Sequence, residues 1–445
     1  MNMQLTVERK IAQHLLGSAI LALIFCTVLR ISFLMIYPLF VVFVFYLFNW
    51  KVSRNFFYIL GFAVLFWLYS MRDGVFLKYN LVSLYYFIPF ILLLCATPAR
   101  DEYSRDYLRL LMNALSAFAI INNLFGIYQY SQHPYDDSFQ GIYGTFTVSQ
   151  NGLSIINAVL FFYHITAWQH RSKKIHLWLA AFFIICAVMG FYGAGMMAFL
   201  CAVVLTTLRI RWKNIVLLFI SLILLLLVLY VVMRIVSPLT LDYNLNILKM
   251  FIDPAAGRTP RKLVIFNNYY IAYTRDVVDM LFGSGPGTFN SRTAFMVGSP
   301  TYFNIQFIKS DVQPLYFANY AYTLWNPGNT GPYDGFMNQP FTSLLALLGE
   351  YGLLITLAIL FIWVGRYRSV VKSWSGSVKN YGLSLPFKMF KFCSVFAMLL
   401  MVIDNYMEYP EILSLLLIIA TLGYQQLRSA EEDQEIGAST RDLSE

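Results

Sequence analysis

Residues 239 to 340 form a polar and aromatic stretch between two apolar blocks, and this stretch contains no histidine and no cysteine. Its cationic side chains include Arg258, Arg261, Lys262, Arg275 and Arg292. The planar guanidinium group of arginine fits phosphate oxygens, and several such groups together neutralise anionic charge. The stretch therefore predicts a binding site for an anionic group, held at both ends by the apolar blocks.

Glu350 is a second candidate for chemistry, because it lies within an otherwise apolar helix that follows this stretch. A carboxylate inside a membrane is costly and usually has a functional role. Glu350 is therefore either a proton acceptor or a structural residue satisfied by a buried arginine or tyrosine. Asp334, on the loop before the helix, is another candidate carboxylate.

Gly283, Gly285 and Gly287 lie in a turn that ends an amphipathic helix, which the apolar spacing predicts over about 260-281. Backbone amides in such a turn can cradle a phosphate. The same glycines can instead form a tight turn that lets the loop pack closely against the membrane domain. Both interpretations remain open at the level of sequence.

The remainder of the chain has the composition of a polytopic membrane protein rather than a soluble enzyme. The whole chain of 445 residues is 59% hydrophobic and only 12% charged, with a mean hydropathy of +0.61. Apolar runs of roughly 17 to 25 residues can cross a bilayer as helices, and they predict an all-α fold with about twelve spans. The predicted spans lie near 13-29, 31-49, 55-71, 80-97, 108-130, 151-168, 175-191, 193-208, 215-238, 342-365, 388-404 and 411-426.

The positive residues predict which side of the membrane each loop faces, because cytoplasmic loops are rich in lysine and arginine. Their clusters fall on one side only if the chain turns between 175-191 and 193-208. Both termini are then cytoplasmic, while the loops 131-150 and 404-411, which lack lysine and arginine, lie outside. The domains predicted are membrane helices one to nine over 1-238, a periplasmic loop domain over 239-340, helices ten to twelve over 341-426 and a disordered cytoplasmic tail over 427-445.

Charge and cysteine usage exclude several other classes of protein. The net charge of +9 is mostly the cytoplasmic bias, so it predicts no nucleic-acid partner. All five cysteines lie in apolar helices, and the five histidines are scattered near helix ends. The sequence therefore predicts no disulfide framework, no metal site and no other cofactor.

Three segments resemble the O-antigen ligase and polymerase superfamily, which comprises the Wzy-type and WaaL-type membrane glycosyltransferases. The first is the glycine-rich run from Leu281 to Phe289, which follows Gly257-Arg258 and the amphipathic helix. The others are Tyr143-Gly144-Thr145-Phe146 with Asn151, and Asn338-Gln339 followed after nine residues by Gly349-Glu350-Tyr351-Gly352. The chain departs from the family at Asn338, where ligases carry a histidine, and at 192-195, where many members carry a Ser-Arg pair.

The resemblance implies that an oligosaccharide is transferred from an undecaprenyl diphosphate carrier to an acceptor hydroxyl, with inversion and without metal. Cationic side chains must then neutralise the departing diphosphate. We expect this role for Arg258, Arg261, Arg275 and Lys78, with Lys262 and Arg292 in reserve. The alternative is that these cations contact only anionic lipid headgroups or pair with Asp276 and Asp279.

Asn338 distinguishes the two branches, because an amide cannot accept a proton at neutral pH. It favours a polymerase in which Asn338 positions the sugar, and Glu350 and Asp334 are then the candidate proton acceptors. We therefore expect an inner-membrane polysaccharide polymerase acting on the periplasmic side, with a flippase, a chain-length regulator and membrane lipids as partners. An O-antigen ligase acting on lipid A core is the alternative within the enzymes. A polysaccharide flippase or other transporter would explain the helices without catalysis.

Overall fold

The computed structural model describes residues 2–27, 30–70, 76–99, 106–132, 138–143, 149–190, 192–207, 261–300, 306–324, 340–374, 381–408 and 410–442, with scattered positions between 223 and 249. Within these residues the protein is nearly all helical. The first helices are α1 (Asn2–Thr27), α2 (Arg30–Leu47), α3 (Arg54–Ser70), α4 (Leu77–Leu94), α5 (Tyr107–Gln132), α6 (Ser149–Arg171), α7 (Lys174–Met189) and α8 (Gly193–Thr207). The later ones are α9 (Arg261–Tyr273), α10 (Val277–Phe282), α11 (Arg292–Gly298), α12 (Ser343–Ala346), α13 (Gly352–Trp374), α14 (Tyr381–Ile403) and α15 (Pro410–Asp442).

Several of these helices suggest a multi-pass membrane protein. Among the described residues, five segments are long and apolar enough to cross a bilayer, namely Leu77–Leu94, Tyr107–Gln132, Ser343–Trp374, Ser384–Ile403 and Pro410–Ala430. Shorter apolar helices accompany them, including α7 and α8. The predicted break between these two helices is confirmed, because α7 ends at Met189 and α8 begins at Gly193. The predicted span 215-238 lies mostly outside the described residues.

A small antiparallel sheet marks one end of the helix bundle, which we call the sheet end. Strand β1 (Trp50–Val52) follows α2, and strand β2 (Ala96–Pro98) follows α4. Trp50 pairs with Pro98 in this sheet. The indole of Trp50 donates a hydrogen bond to the side-chain oxygen of Gln425 in α15 at 2.9 Å. The second half of α15 therefore lies at the sheet end as well.

Residues 261–300 and 306–324 cover the opposite end of the bundle, which we call the loop end. Here α11 packs against α4, and α10 packs against α13. The turn of 404–408 between α14 and α15 also contacts α4. The beginnings of α4, α13 and α15 and the end of α14 therefore meet beneath this segment.

The amphipathic helix predicted over about 260-281 is in fact two helices, α9 and α10, so the predicted continuity is wrong. Asp276 separates them, because its carboxylate accepts hydrogen bonds from the amides of Val278 and Asp279 at 2.9 and 3.2 Å. An aspartate in this position stabilises a new helix start. The predicted stop is confirmed, since α10 ends at Phe282 and the next residue, Gly283, has a positive φ of 81°.

The last helix also differs from expectation. α15 continues to Asp442, so it includes residues 427–442 of the tail that the sequence predicts as disordered over 427-445. This part of the chain contains three glutamates, two alanines, two arginines and one glutamine, which have high helix propensity. It also extends a helix that is already formed, so no new nucleation is required.

Two glycines allow the end of α10 to cross the beginning of α13. Gly283 and Gly352 have φ values of 81° and 79°, a region that glycine adopts without the strain of other residues. A Cβ atom on Gly352 would lie 2.4 Å from the carbonyl oxygen of Leu281, and one on Gly283 would lie 2.5 Å from that of Glu350. Both obstacles are backbone atoms, so a side chain at either position would push the two segments apart.

We expect the substitution Gly352→Ala to destabilise the protein by at least about 1–3 kcal/mol, because it adds backbone strain to a steric clash. Gly365→Ala is the matched control in the same helix, since a Cβ atom there would meet nothing within 4 Å. Alanine favours a helix interior by up to about 1 kcal/mol over glycine, so the control should be neutral or stabilising. Thermal unfolding of both purified variants in detergent measures the difference. Equal midpoints would contradict the crossing.

Candidate functional site

The carboxylate of Glu350 fastens the glycine-rich turn to the beginning of α13. Glu350 is 1% exposed, and its Oε2 accepts a hydrogen bond from the amide of Gly287 at 2.6 Å. Its Oε1 accepts from the amides of Phe289 and Ser291 at 3.2 and 2.9 Å. These hydrogen bonds satisfy amides that would otherwise be buried without partners.

The other amides of the turn are engaged inside the protein too. The amides of Ser284 and Gly285 donate to the carbonyl oxygens of Gly349 and Glu350 at 2.8 and 3.0 Å. The amide of Gly287 is occupied by the Glu350 carboxylate. In this conformation the amides are not available to a phosphate, so the structure favours the packing interpretation of the turn.

A buried ion cluster lies beside the turn and is centred on Asp404, the residue that follows α14. Oδ1 of Asp404 lies 3.2 Å from Nη2 of Arg292, and Oδ2 lies 3.7 Å from Nζ of Lys262. Lys262 also donates to the carbonyl oxygen of Ile403. The guanidinium of Arg292, which is 2% exposed, has its Cζ 4.5 Å from the ring centroid of Phe341. Two cations thus share one carboxylate away from solvent.

Glu408 provides a second carboxylate from the same turn, and it is 0% exposed. It accepts hydrogen bonds from the amide and the hydroxyl of Thr293 at 3.2 and 2.6 Å. It also accepts from the side-chain amide of Asn405 at 2.6 Å. The beginning of α11, at Arg292 and Thr293, is therefore bound by both carboxylates of the 404–408 turn, which we call the carboxylate turn.

The two carboxylates differ in their electrostatic surroundings. Burial acts to raise the pKa of Asp404, but the charges of Lys262 and Arg292 outweigh it and hold this pKa below its usual value. Burial raises the pKa of Glu408, and the hydrogen bonds from Thr293 offset only part of that effect. Asp404 is therefore the charged partner of the cations, whereas Glu408 favours its protonated form more than a free glutamate does.

Three of the predicted diphosphate-binding cations are buried at the loop end. Lys262 and Arg292 converge on Asp404, and Arg261 is buried next to Lys262 at the start of α9. Asp404 already neutralises part of the charge of Lys262 and Arg292. In this structure the two side chains connect α9 and α11 to the carboxylate turn.

The other two described cations, Arg275 and Lys78, are exposed at the loop end. Lys78 donates from Nζ to the carbonyl oxygen of Lys309 at 2.5 Å, so α4 also contacts the covering segment. The remaining predicted site residues, Arg258, Asn338 and Asp334, lie outside the described residues, as does most of the segment 143-146 that contributes to the resemblance.

Sequence reasoning did not select Asp404 and Glu408. One signal could have found them. The loop 404-411 has acidic residues but no lysine or arginine, and it is predicted on the same side as the cationic stretch 239-340. Oppositely charged side chains on the same side of the membrane attract each other more strongly when both are buried away from water. Nothing in the sequence indicates which of the cations Asp404 binds.

Asn290 adds an unused hydrogen-bonding group at this position. It is fully buried between Phe289 and Ser291, whose amides bind Glu350. Within the described part of the chain, neither the nitrogen nor the oxygen of its side-chain amide has a hydrogen-bond partner. Buried amides are normally satisfied by protein or water, so Asn290 is an exception at the loop end.

Comparison with known proteins adds no relative. No protein-family model matches the chain, and no curated protein matches it.

We expect Asp404→Asn to destabilise the protein by about 3–5 kcal/mol, because it leaves Lys262 and Arg292 buried without their carboxylate. The matched control is Asp242→Asn, which removes the Arg234 pair at 3.4 Å, where both side chains are more than half exposed. Exposed pairs contribute about 0–1 kcal/mol. Chemical unfolding of the purified variants compares the two. Similar losses from both variants would contradict a desolvated ion cluster.

The pH dependence of stability should distinguish Asp404 from Glu408. The lowered pKa of Asp404 means that its contribution is present above the pKa of an unfolded aspartate and is lost as pH falls through the folded value. The raised pKa of Glu408 means that its contribution is present below the pKa of an unfolded glutamate and is lost as pH rises through the folded value.

Raising the pH from about 3 to about 7 should therefore increase the destabilisation caused by Asp404→Asn and decrease that caused by Glu408→Gln. Urea unfolding of wild type and both variants across this range measures the two trends. If the destabilisation caused by the two substitutions changed in the same direction with pH, the assignment of opposite electrostatic surroundings would be wrong.

Proposed function

We propose that this protein is an inverting, metal-independent glycosyltransferase that polymerises undecaprenyl-diphosphate-linked oligosaccharide repeat units into a surface polysaccharide, such as O-antigen, capsule or exopolysaccharide. It would lie in the bacterial cytoplasmic membrane with about twelve spans and would act on the periplasmic side. A flippase would deliver each repeat unit, and a chain-length regulator would limit the product. The loop end would be the periplasmic end.

The observation that carries this proposal is that two of the segments that resemble the superfamily form one structure. Gly287 and Glu350 are 63 positions apart in the chain, yet the amide of one donates to the carboxylate of the other. Gly283 and Gly352 touch across the same junction. Contact between two short motifs is what a shared functional site requires, and it is not expected of two unrelated glycine-rich segments.

The arrangement of charge favours an enzyme over a transporter. A transporter is expected to line a central cavity with polar residues that reach both faces, whereas the cations of residues 261–324 gather at the loop end. In the proposal, the exposed Arg275 and Lys78 bind the diphosphate. Lys262 and Arg292, neutralised by Asp404, hold α9 and α11 in position beneath it.

The chemistry proposed needs no cofactor. The bond between the anomeric carbon and the diphosphate oxygen breaks, the acceptor oxygen bonds to that carbon, and the hydroxyl proton passes to the released diphosphate or to water. Both carboxylate oxygens of Glu350 already accept amide hydrogen bonds. Its proposed role is therefore to hold the glycine-rich turn, while Asn338 hydrogen-bonds the acceptor sugar.

Chain growth in a reconstituted system tests the proposal. Purified full-length protein in liposomes, given only the lipid-linked repeat unit and a chelator, should produce a ladder of longer glycans without nucleotide sugar. Arg275→Ala should slow this reaction by at least about tenfold, since a group that stabilises developing charge contributes that much or more. Lys372→Ala, which removes an exposed cation from the other end of α13, is the control and should have the wild-type rate.

Deletion of the gene in its host distinguishes the proposal from its alternatives. Single repeat units attached to the surface lipid indicate a missing polymerase, and complete loss of attached glycan indicates a missing ligase. Accumulation of repeat units on the cytoplasmic side indicates a missing flippase. A full-length ladder made at the wild-type rate by the Arg275→Ala protein would overturn the site assignment without affecting the class of enzyme.

A further inference from the structure

A cavity of about 70 Å³ lies at the sheet end, far from the ion cluster. Four helices surround it, with Arg109 from α5, Tyr163 and Arg171 from α6, and Gln426 from α15 among its lining side chains. Gln426 follows Gln425, the partner of Trp50 in the small sheet, which fixes the position of the cavity at this end. α14 supplies an apolar wall of Leu385 and Pro386.

Three of the polar side chains that line this cavity, Arg109, Tyr163 and Arg171, are hydrogen-bond donors that the described part of the protein leaves largely unused. Tyr163 is 2% exposed, yet its hydroxyl makes no hydrogen bond with any residue that the structure describes. Arg171 is exposed and has no ion-pair partner among those residues. Arg109 lies 3.7 Å from Asp106, but both side chains are about half exposed or more, so this pair is weak.

These features suit a tetrahedral oxyanion. Two guanidinium groups outnumber the single carboxylate of Asp106 in the lining, and each can form two parallel hydrogen bonds to phosphate oxygens. A water molecule needs only about 10–15 Å³ of such volume, so the cavity can hold several waters or one phosphate group. The buried Tyr163 hydroxyl would donate a hydrogen bond to the same phosphate group.

We propose that this cavity is a binding site for a phosphate group, supplied either by the headgroup of an anionic phospholipid or by free inorganic phosphate. Arg109, Arg171 and Tyr163 would hold the phosphate oxygens, and the apolar wall from α14 would contact the adjoining carbon atoms of a lipid. Basic pockets between membrane helices bind anionic headgroups in this way. Bound phosphate would link α5 to α6 at the sheet end. The inference stands independently of the proposed polymerase activity.

Ligand-dependent thermal stability of the full-length protein tests this site. The protein is placed in nanodiscs of phosphatidylcholine and titrated with inorganic phosphate in one arm. In the other arm, phosphatidylglycerol replaces part of the phosphatidylcholine. A rise in the unfolding midpoint only with phosphatidylglycerol identifies a lipid headgroup, and a rise with inorganic phosphate identifies the free ion.

Three variants test whether the stabilisation depends on the side chains that line the cavity. Arg171→Gln should weaken the stabilising ligand by about tenfold, as loss of a charge-assisted hydrogen bond predicts, and Tyr163→Phe should weaken it without altering charge. Lys174→Gln removes an exposed cation from the same end but outside the cavity, and it should bind normally. The proposal is overturned if neither ligand stabilises the wild-type protein, or if Lys174→Gln and Arg171→Gln weaken binding equally.

Discussion

The hydrogen bonds between one buried carboxylate and three backbone amides determine how the loop end is assembled. Glu350 accepts hydrogen bonds from the amides of Gly287, Phe289 and Ser291. These bonds fix the position of the glycine-rich turn against the beginning of α13. Without the carboxylate, three amides would be buried without acceptors, each at a cost of about 1–3 kcal/mol. The crossing of Gly283 and Gly352 is possible only at this register, because their backbones touch there. One side chain therefore sets the geometry that the rest of the segment follows.

The ion cluster adds a second constraint of a different kind. An amide hydrogen bond fixes direction over a short distance, whereas Asp404 attracts two cations from separate helices, α9 and α11. Burial of such charges contributes little to net stability, but removal of one partner is strongly unfavourable. The cluster thus selects one arrangement of the covering helices over others that would leave a charge unpaired. In the proposed enzyme, that selection keeps the exposed cations near the place where the diphosphate leaves.

The helices and the stop at Gly283 could be predicted from the sequence, but little could be predicted about how the helices are placed relative to one another. The length of the apolar runs alone predicts α4, α5, α13, α14 and α15. The positive charge of the loops predicts the break between α7 and α8. The break at Asp276 was missed because periodicity averages over a whole helix, while a cap acts at a single residue. The helical extension to Asp442 was missed because acidic composition describes solvation rather than local propensity. The partners of Arg292 and Lys262 could not be predicted, because they depend on which two loops meet in space.

The carboxylate turn has a consequence for how the chain is made. Arg292 and Thr293 are synthesised more than a hundred positions before the acidic partners that they require, 112 positions for Asp404 and 115 for Glu408. The cations of this segment therefore lack their buried partners until the chain has been synthesised as far as the carboxylate turn. The loop end can close only after Asp404 and Glu408 have been added, so its assembly follows the synthesis of α14.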